Sequence, residues 1–460
     1  MAKDNEINIF SPNINWVRVA FGVTMISALF LHLTPHWSGF WLDELYTFYF
    51  SDPRVPFSPK LLRRILDDPQ PFPYYLLMWG WHSLVGFSEP ASRFLGGGVL
   101  AVSLLATARI LKDMFPARAV ILLVAILSFS WAGIQFSHEA RSYSFLYGFS
   151  CVGYGLLLRS LVIGPTAKVT YGMFFVAMAA GALHYYGMVF GCALFLGRSV
   201  GLWSADRKSE ARGDIYRMFA LVMFYGVLLL PQFGNLVDRA GGEFWVKNDP
   251  LGLIKSYFAL FFFDYLGKIG LGFLIAGAAL GVRRCSFVTP VLIAVAVSFI
   301  VPALISLHTP ILLARYLIIT IPPLLMVFAL GCGLARMRLA SILGSMAALL
   351  FFLDAGRGYF NLEKDSWSSS AALVAAEAAN GCIIPVWSWQ PVAYGYYLPD
   401  YLRASLTRVP PAGPVPAVPA NCRVVLWAAS ADSLRLVPPD DVLVVRNGST
   451  QVWVRRGLPS

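Results

Sequence analysis

Long apolar runs recur along most of this chain and predict transmembrane helices. Each run has close to the length, roughly 17–25 residues, that an α-helix needs to cross a bilayer. The runs lie at residues 16–34, 93–111, 118–136, 143–162, 169–184, 188–203, 216–233, 257–281, 288–307, 316–334 and 338–354. The pattern therefore indicates an all-α polytopic membrane domain with about eleven transmembrane helices.

Two further apolar stretches leave this count open by about two helices. Residues 72–86 ("FPYYLLMWGWHSLVG") are short and rich in Trp and Tyr, which favours a helix lying at the membrane interface over a full crossing. Residues 251–266 are also apolar. Because no small-residue cleavage site follows the first run, we expect it to be an uncleaved anchor.

The pattern changes after residue 354. We expect a helix capped by Asp365 or Ser366, followed by a short buried strand. Further strands are predicted in "CRVVLWAA", "DVLVVRN" and "TQVWVRR", which a Pro-rich stretch at 409–420 separates from the first one. The sequence thus predicts a transmembrane domain over residues 1–354 and a small α/β domain over residues 355–460, a lid or scaffold without a glycine-rich phosphate loop.

Charge predicts how the helices are oriented. Only 13% of the residues are charged, against about 25% in soluble domains. The cations concentrate in alternate short loops, "KDMFPARAV", "RSLVIGPTAK", "SADRKSEARGDIYR", "GVRRCS" and "ARMRLA". The positive-inside rule places these loops and the N-terminus in the cytoplasm. The other loops and the C-terminal domain are then extracytoplasmic, and the net charge of +11 reports orientation rather than nucleic-acid binding.

The six cysteines divide by environment. Cys151, Cys192 and Cys332 fall in apolar runs, where a packing role is expected, and Cys285 falls on the inner side. Cys382 and Cys422 belong to the outer domain, where disulfides persist, so we expect these two to pair. The spacing of zinc ligands is absent from the sequence.

Candidate chemistry lies in the loops assigned to the outer side. "GFWLDELYTFYF" (39–50) places Asp43 and Glu44 among aromatic residues at a membrane boundary. Burial there raises the pKa of a carboxyl group and suits it to general acid–base work, although an aromatic belt with an incidental acid is the alternative. Five other charged residues of this long loop are typical of a solvated surface: Asp52, Lys60, Arg63, Arg64 and Asp67.

Two short outer turns carry further polar groups. "FSHEARSYSF" (136–145) places His138, Glu139 and Arg141 between two spans, and ionisable groups at such depth usually face a cavity or a partner. A Glu139–Arg141 pair that fixes the turn is the structural alternative. The second turn supplies Arg315 and Tyr316 at the start of another span. Arginine suits a bidentate hold on phosphate or carboxylate.

Five motifs in this order resemble the GT-C superfamily: "WLDE", "DDPQPFPYYLLMWGWHSLVGFSEPASR", "HEARSYSF", "HYYG" and "ARYLIITIPPLL". Within it, the chain is most similar to membrane glycosyltransferases related to protein O-mannosyltransferases and to the lipid A aminoarabinose transferase. The resemblance covers roughly residues 16–355, and it is carried by the order and sidedness of the motifs. The chain departs at "DPQPFPYY", where Gln70 replaces a His and Phe72 a Pro that relatives often have, so no role of that His is transferred.

The resemblance implies transfer of a sugar from a polyprenyl-phosphate carrier to a lipid, polysaccharide or protein acceptor. The reaction would invert the anomeric centre on the extracytoplasmic face, in a bacterial inner membrane. By this resemblance Asp43 is the base and Glu44 its neighbour. The donor phosphate would be held by Arg141 and Arg315, with Arg93 and Lys247 behind them, and the substrate pocket would be lined by Asp68, His138, Tyr143 and Tyr316. Two arginines neutralise a monophosphate, so no metal or other cofactor is required, although a divalent metal is compatible with the sequence.

Two other classes compete with a transferase. A transporter or lipid flippase would favour inverted repeats and broken helices at mid-membrane, and we find no convincing repeat. A non-catalytic membrane assembly protein would have no need of the acidic pair. The sequence does not choose among mannose, galacturonic acid, aminoarabinose and other sugars, nor among lipid A, lipopolysaccharide core and other envelope acceptors.

Overall fold

The computed structural model describes residues 14–34, 39–234, 249–281, 285–361, 367–377, 383–385, 396–403, 425–427, 441–447 and 450–455. These residues form mainly α-helices: α1 Ile14–Leu33, α2 Leu42–Phe50, α3 Pro59–Leu66, α4 Phe72–Val85, α5 Glu89–Leu111, α6 Ala117–Phe129, α7 Trp131–Ser137, α8 Tyr143–Val162, α9 Ala167–Leu183, α10 Tyr185–Ser204, α11 Lys208–Leu229, α12 Pro250–Phe258, α13 Tyr265–Ala279, α14 Val288–Ser306, α15 Ile321–Leu334, α16 Arg338–Asn361, α17 Trp367–Glu377 and α18 Asp400–Arg403. Short 3₁₀ segments, Leu230–Gln232 and Ala314–Thr320, extend α11 and precede α15.

The helices confirm the predicted polytopic membrane domain. Within the described residues, 7 helices are long and apolar enough to cross a membrane, or 8 if α6 and α7, which meet at a bend of 51°, are counted as one broken span. Three shorter apolar helices lie in α1, α9 and α13. Each of the predicted segments overlaps one of these elements, so the chain is an integral membrane protein.

The prediction of one continuous span over 257–281 is wrong. The chain leaves α12 and turns before α13 begins, and the turn is fixed from the neighbouring helix α16. The buried carboxylate of Asp354 accepts the backbone N–H groups of Phe263 at 2.6 Å and of Asp264 at 2.8 Å. Asp264 in turn pairs with Arg357 at 3.0 Å. These bonds hold the two residues directly before Tyr265 in the turn, and a carboxylate near a helix N-terminus is favourable, so a new helix begins here.

The predicted span over 118–136 is also not continuous, since it breaks at Ser130. This residue has extended backbone angles, and its hydroxyl accepts the N–H of Gly133 as the cap of α7. The same hydroxyl lies 2.7 Å from the hydroxyl of Tyr147 in α8, so the bend is held by a neighbouring helix. The helix predicted at the interface is α4, which is not among the candidate spans.

Contacts between Cα atoms divide the chain into two compact units. The first comprises Met1–Pro35, Phe57–Leu77 and Arg93–Asn361, and the second comprises His36–Pro56, Met78–Ser92 and Leu362–Ser460. In the first unit α10 packs on α9, α11 and α14, and α13 packs on α16. Parts of the long loop after α1 thus group with the C-terminal segment, and the domain boundary after residue 354 stays a prediction.

The second unit contains a four-stranded sheet with strands β1 Ile383–Pro385, β2 Val425–Trp427, β3 Asp441–Asn447 and β4 Thr450–Arg455. The strand order is β1-β2-β4-β3, with β1 parallel to β2 and β4 antiparallel to both of its neighbours. All four predicted strands are therefore confirmed. Cys382, Cys422, Asp365 and Ser366 lie outside the described residues, so the disulfide and the helix cap stay predictions.

Candidate functional site

Most of the sequence-predicted residues of the first unit gather where four connections meet. These connections are the loop between α3 and α4, the turn between α7 and α8, the junction of α9 with α10, and the 3₁₀ segment before α15. The charge pattern predicts that all four lie on the outer side of the membrane. Side chains from these four connections form the candidate site.

The loop between α3 and α4 carries Asp68 and is held at both of its ends. The carboxylate Oδ1 of Asp68 accepts the N–H of Gln70 at 2.8 Å and the phenol O–H of Tyr75 at 2.9 Å. The side-chain amide of Gln232 donates to the carbonyls of Asp68 and Gln70 at 2.9 and 2.8 Å. The hydroxyl of Tyr185 donates to the carbonyl of the intervening proline. Asp68 is thus presented from a loop fixed by neighbouring helices.

Tyr75 links this loop to Arg141. The ring is fully buried, and its hydroxyl is hydrogen-bonded to the guanidinium of Arg141 as well as to Asp68. Burial first, and then the negative charge of Asp68, raises the pKa of Tyr75 well above its ordinary value. The phenol therefore stays neutral and donates to the carboxylate. Asp68 and Arg141, which lie far apart in sequence, are connected through one tyrosine.

The "HYYG" motif forms the junction of α9 with α10. His184 separates the two helices with extended backbone angles and caps α10, since its Nδ1 accepts the N–H of Tyr186 at 3.2 Å. Gly187 allows the close approach that this junction needs. A Cβ atom at Gly187 would lie 2.1 Å from the carbonyl oxygen of Ala180 at the end of α9.

The imidazole of His184 lies among three tyrosine rings. Its centroid is 5.8 Å from Tyr143, 5.7 Å from Tyr186 and 5.1 Å from Tyr316. Tyr316 also faces Tyr143 and Tyr186, at 6.1 and 5.3 Å. We call these four residues the aromatic cluster. The guanidinium carbon of Arg315 lies 5.6 Å from the ring centroid of Tyr316, within the range of a cation–π contact.

The positive charges of both arginines affect the imidazole of His184. Burial, followed by the positive charges of Arg141 and Arg315, lowers the pKa of His184 from 6.5 to about 3. The two guanidinium groups are therefore near enough to His184 to oppose a positive charge on its imidazole. This region combines two cations with a neutral imidazole and aromatic faces, and it favours an anion of phosphate or carboxylate type.

Two other sequence-predicted residues of the first unit are buried. His138 is buried, and its Nε2 lies 2.7 Å from the carbonyl oxygen of Leu31 at the end of α1. Its ring is 5.4 Å from that of Tyr359. Arg93 is buried near the start of α5. Lys247 lies outside the described residues, so its role stays a prediction.

The acidic pair Asp43 and Glu44 belongs to the second unit, in the first turn of α2. Glu44 is buried, and its Oε2 accepts the N–H of Trp41 at 3.2 Å, an interaction that stabilises the start of the helix. Asp43 is partly exposed. Later in α2, Phe48 packs against Tyr396 with their centroids 4.6 Å apart.

Among the residues that the structure describes, no group of three or more His, Cys, Asp or Glu side chains is placed to hold a metal ion. Sequence reasoning did not assign Tyr75, His184, Tyr186 or Gln232 to the site. The motif "HYYG" was the available signal for His184 and Tyr186, whereas nothing local marks Gln232, which is brought to the loop by the end of α11.

Helical architecture and the comparison with solved structures together define a polytopic membrane protein with the fold of ArnT. The chain is similar to ArnT from Cupriavidus metallidurans bound to undecaprenyl phosphate, with a TM-score of 0.57 at 13% identity over 96% of this chain and 98% of ArnT. The apo state of ArnT gives a TM-score of 0.59 at the same identity and coverage. ArnT is a lipid A aminoarabinose transferase, so the resemblance indicated by the motifs is confirmed for the fold.

A weaker likeness is to the oligosaccharyltransferase AglB from Archaeoglobus fulgidus, in complex with an inhibitory peptide and a dolichol-phosphate. Its TM-score is 0.47 at 11% identity over 87% of this chain and 64% of AglB, and we infer nothing from a score below 0.5. No protein-family profile matches the sequence, and no curated protein is similar to it at a significant level.

Proposed function

We propose that this protein is a glycosyltransferase that uses a sugar linked to a polyprenyl phosphate. The acceptor is a hydroxyl group on a lipid, polysaccharide or protein at the extracytoplasmic face of a bacterial inner membrane. The observation that carries the proposal is the aromatic cluster around His184, where Arg315 lies against Tyr316 and where the charges of Arg141 and Arg315 both oppose protonation of the imidazole, at the predicted outer ends of the helices. The fold shared with ArnT, which binds undecaprenyl phosphate, supports the same donor class.

The chemistry assigns the arginines a definite role. When the acceptor oxygen attacks the anomeric carbon, the bond from that carbon to the phosphate oxygen breaks and the phosphate leaves with the electron pair. Negative charge grows on the phosphate in the transition state, and fixed guanidinium groups stabilise it there. A single displacement of this kind inverts the anomeric centre. Tyr143 and Tyr316 would offer aromatic faces beside the phosphate.

Asp43 is our candidate for the base that takes the proton of the acceptor hydroxyl, with Glu44 supporting the start of its helix. The support for this role is the "WLDE" motif and its resemblance to the GT-C superfamily. Asp68 is a candidate for the substrate pocket, because its carboxylate is held by Tyr75, which also contacts Arg141.

Binding of the carrier is tested with the purified full-length chain and undecaprenyl phosphate in nanodiscs. We expect the wild type to bind the lipid and Arg141→Gln or Arg315→Gln to weaken binding by about tenfold to a hundredfold, because each removes a charge-assisted hydrogen-bond donor. The matched control is Arg336→Gln, which changes an exposed arginine in the turn before α16 and is expected to bind as the wild type does. A wild type that does not bind the lipid would overturn the proposed donor class.

The flippase alternative also predicts binding of a lipid phosphate, so a second experiment must separate the two classes. A transferase makes a new glycosidic bond, and Asp43→Asn should abolish that product while leaving insertion and lipid binding intact. Translocation of the lipid without a new covalent product would support the transporter class. Unchanged product formation by Asp43→Asn would exclude Asp43 as the base.

A further inference from the structure

His184 has a fixed tautomer in this site. Its Nδ1 accepts the N–H of Tyr186 at 3.2 Å and therefore carries no proton. A neutral imidazole has one N–H group, so the proton must lie on Nε2. The ring cannot easily exchange the two nitrogens, because the helix cap and the three surrounding tyrosine rings determine its orientation.

The same surroundings keep the ring neutral. His184 is 3% exposed, and burial together with the two arginines lowers its pKa to about 3. Nε2–H is thus a neutral donor throughout the physiological range of pH. Within the described part of the chain, no protein group accepts a hydrogen bond from Nε2.

We propose that Nε2–H of His184 donates a hydrogen bond to a phosphate oxygen of the polyprenyl carrier, as a third contact beside Arg141 and Arg315. This inference rests on the proposed function and names a further binding residue for its donor. The position of the imidazole supports this contact. The ring packs against Tyr316, which Arg315 also contacts, and the charges of both arginines act on it. A protonated histidine would be repelled by the arginines, whereas a neutral one adds a directed donor without a third positive charge.

The donor role can be separated from the helix cap by the choice of substitution. Asparagine is among the best N-cap residues, so His184→Asn keeps an acceptor for the N–H of Tyr186 but is too short to supply a donor at the place of Nε2. If His184→Asn does not fold, His184→Ser gives the same separation with another good cap residue. His308→Asn is the matched control, because His308 is exposed in the turn after α14.

The experiment measures binding of undecaprenyl phosphate to the full-length chain in nanodiscs, with the thermal midpoint as the check on folding. We expect His184→Asn to bind about tenfold or more weakly, as for loss of a hydrogen bond to a charged group, and His308→Asn to bind as the wild type does. Wild-type affinity in a folded His184→Asn variant would overturn the role of His184. If in that case the arginine variants still bind weakly, the proposed function stands; if the wild type itself does not bind, the proposed function fails first.

Discussion

Individual residues of the candidate site act through charge and through fixed hydrogen-bond direction. Arg141 contacts Tyr75, and Tyr75 contacts Asp68, so a cation and an anion are joined by a neutral phenol. His184 is kept neutral by its burial and then by the positive charges of Arg141 and Arg315, which lower the pKa of its imidazole. The two guanidinium groups favour an anion, and the hydrogen bonds of Tyr75 and His184 fix the orientation of these side chains.

At this scale we predict an acid-sensitive contribution of His184 to stability. The ring is neutral in the folded state, where its pKa is about 3, and becomes protonated in the unfolded state near its ordinary pKa of 6.5. The unfolded state therefore binds more protons between these values, and stability falls as the pH falls from about 6.5. The thermal midpoint of the wild type should decrease more between pH 7.5 and pH 5 than that of His184→Asn. Equal decreases would show that His184 is not held neutral by the fold.

Elements position these residues through close contacts at helix ends. The α9–α10 junction is tight because Gly187 has no Cβ atom to meet the carbonyl of Ala180. The start of α13 is fixed because Asp354 in α16 accepts the N–H groups of Phe263 and Asp264, the two residues directly before it. In both places one residue determines where a helix begins.

Substitution of Gly187 tests the first junction. The added Cβ of Gly187→Ala would lie 2.1 Å from a backbone oxygen, and a helix backbone cannot move away as a flexible side chain can. We expect a loss of about 3 kcal/mol of stability and weaker binding of undecaprenyl phosphate, because His184 and Tyr186 would shift with the helix. In Gly226→Ala the new Cβ meets nothing within 4 Å, so this control should be neutral or slightly more stable. Equal thermal midpoints for the two variants would contradict the close approach at Gly187.

The second helix start is tested by Asp354→Asn. The amide keeps one acceptor oxygen but turns an N–H₂ group towards the other backbone donor, so we expect a loss of about 1–3 kcal/mol. Asp113→Asn is the control, since the side chain of Asp113 is 60% exposed and its pair with Lys112 is long, at 4.0 Å. Chemical unfolding in detergent micelles measures both variants, and no difference between them would mean that Asp354 does not stabilise the start of α13.

Much of the fold could be predicted because transmembrane helices and strands have strong local periodicity. The four strands and most apolar helices appear where the sequence places them. The breaks at Ser130 and before α13 could not be predicted, since they depend on Tyr147 and Asp354 in other helices. For the same reason the sequence indicates Arg141 and Arg315 as separate candidates but does not assign His184 to the site. The "HYYG" motif marks this residue, but its proximity to the two arginines is visible only in the structure.

The whole molecule combines the fold of ArnT with a site in its first unit where two arginines favour an anion. The fold supplies the helices whose ends carry Arg141, His184 and Arg315, and the likeness to ArnT extends over 96% of this chain. The proposed lipid-linked donor would explain why the polar site lies at helix ends rather than in a soluble domain. The phosphate of such a donor lies at the membrane surface, while its polyprenyl chain remains in the lipid. Under the proposed function, the identity of the sugar and of the acceptor would depend on the shape of the pocket and can be measured directly.

The central claim is that the chain moves a sugar to an envelope acceptor by way of this site. It is tested most directly by mass spectrometry of envelope glycolipids and glycans from cells that lack the protein and cells that carry the wild type, Arg141→Gln or Arg336→Gln. We predict one species that is heavier by a single sugar in the wild type and in Arg336→Gln, and that is lost or strongly reduced in the other two strains. Identical envelope profiles with and without the protein would contradict the account.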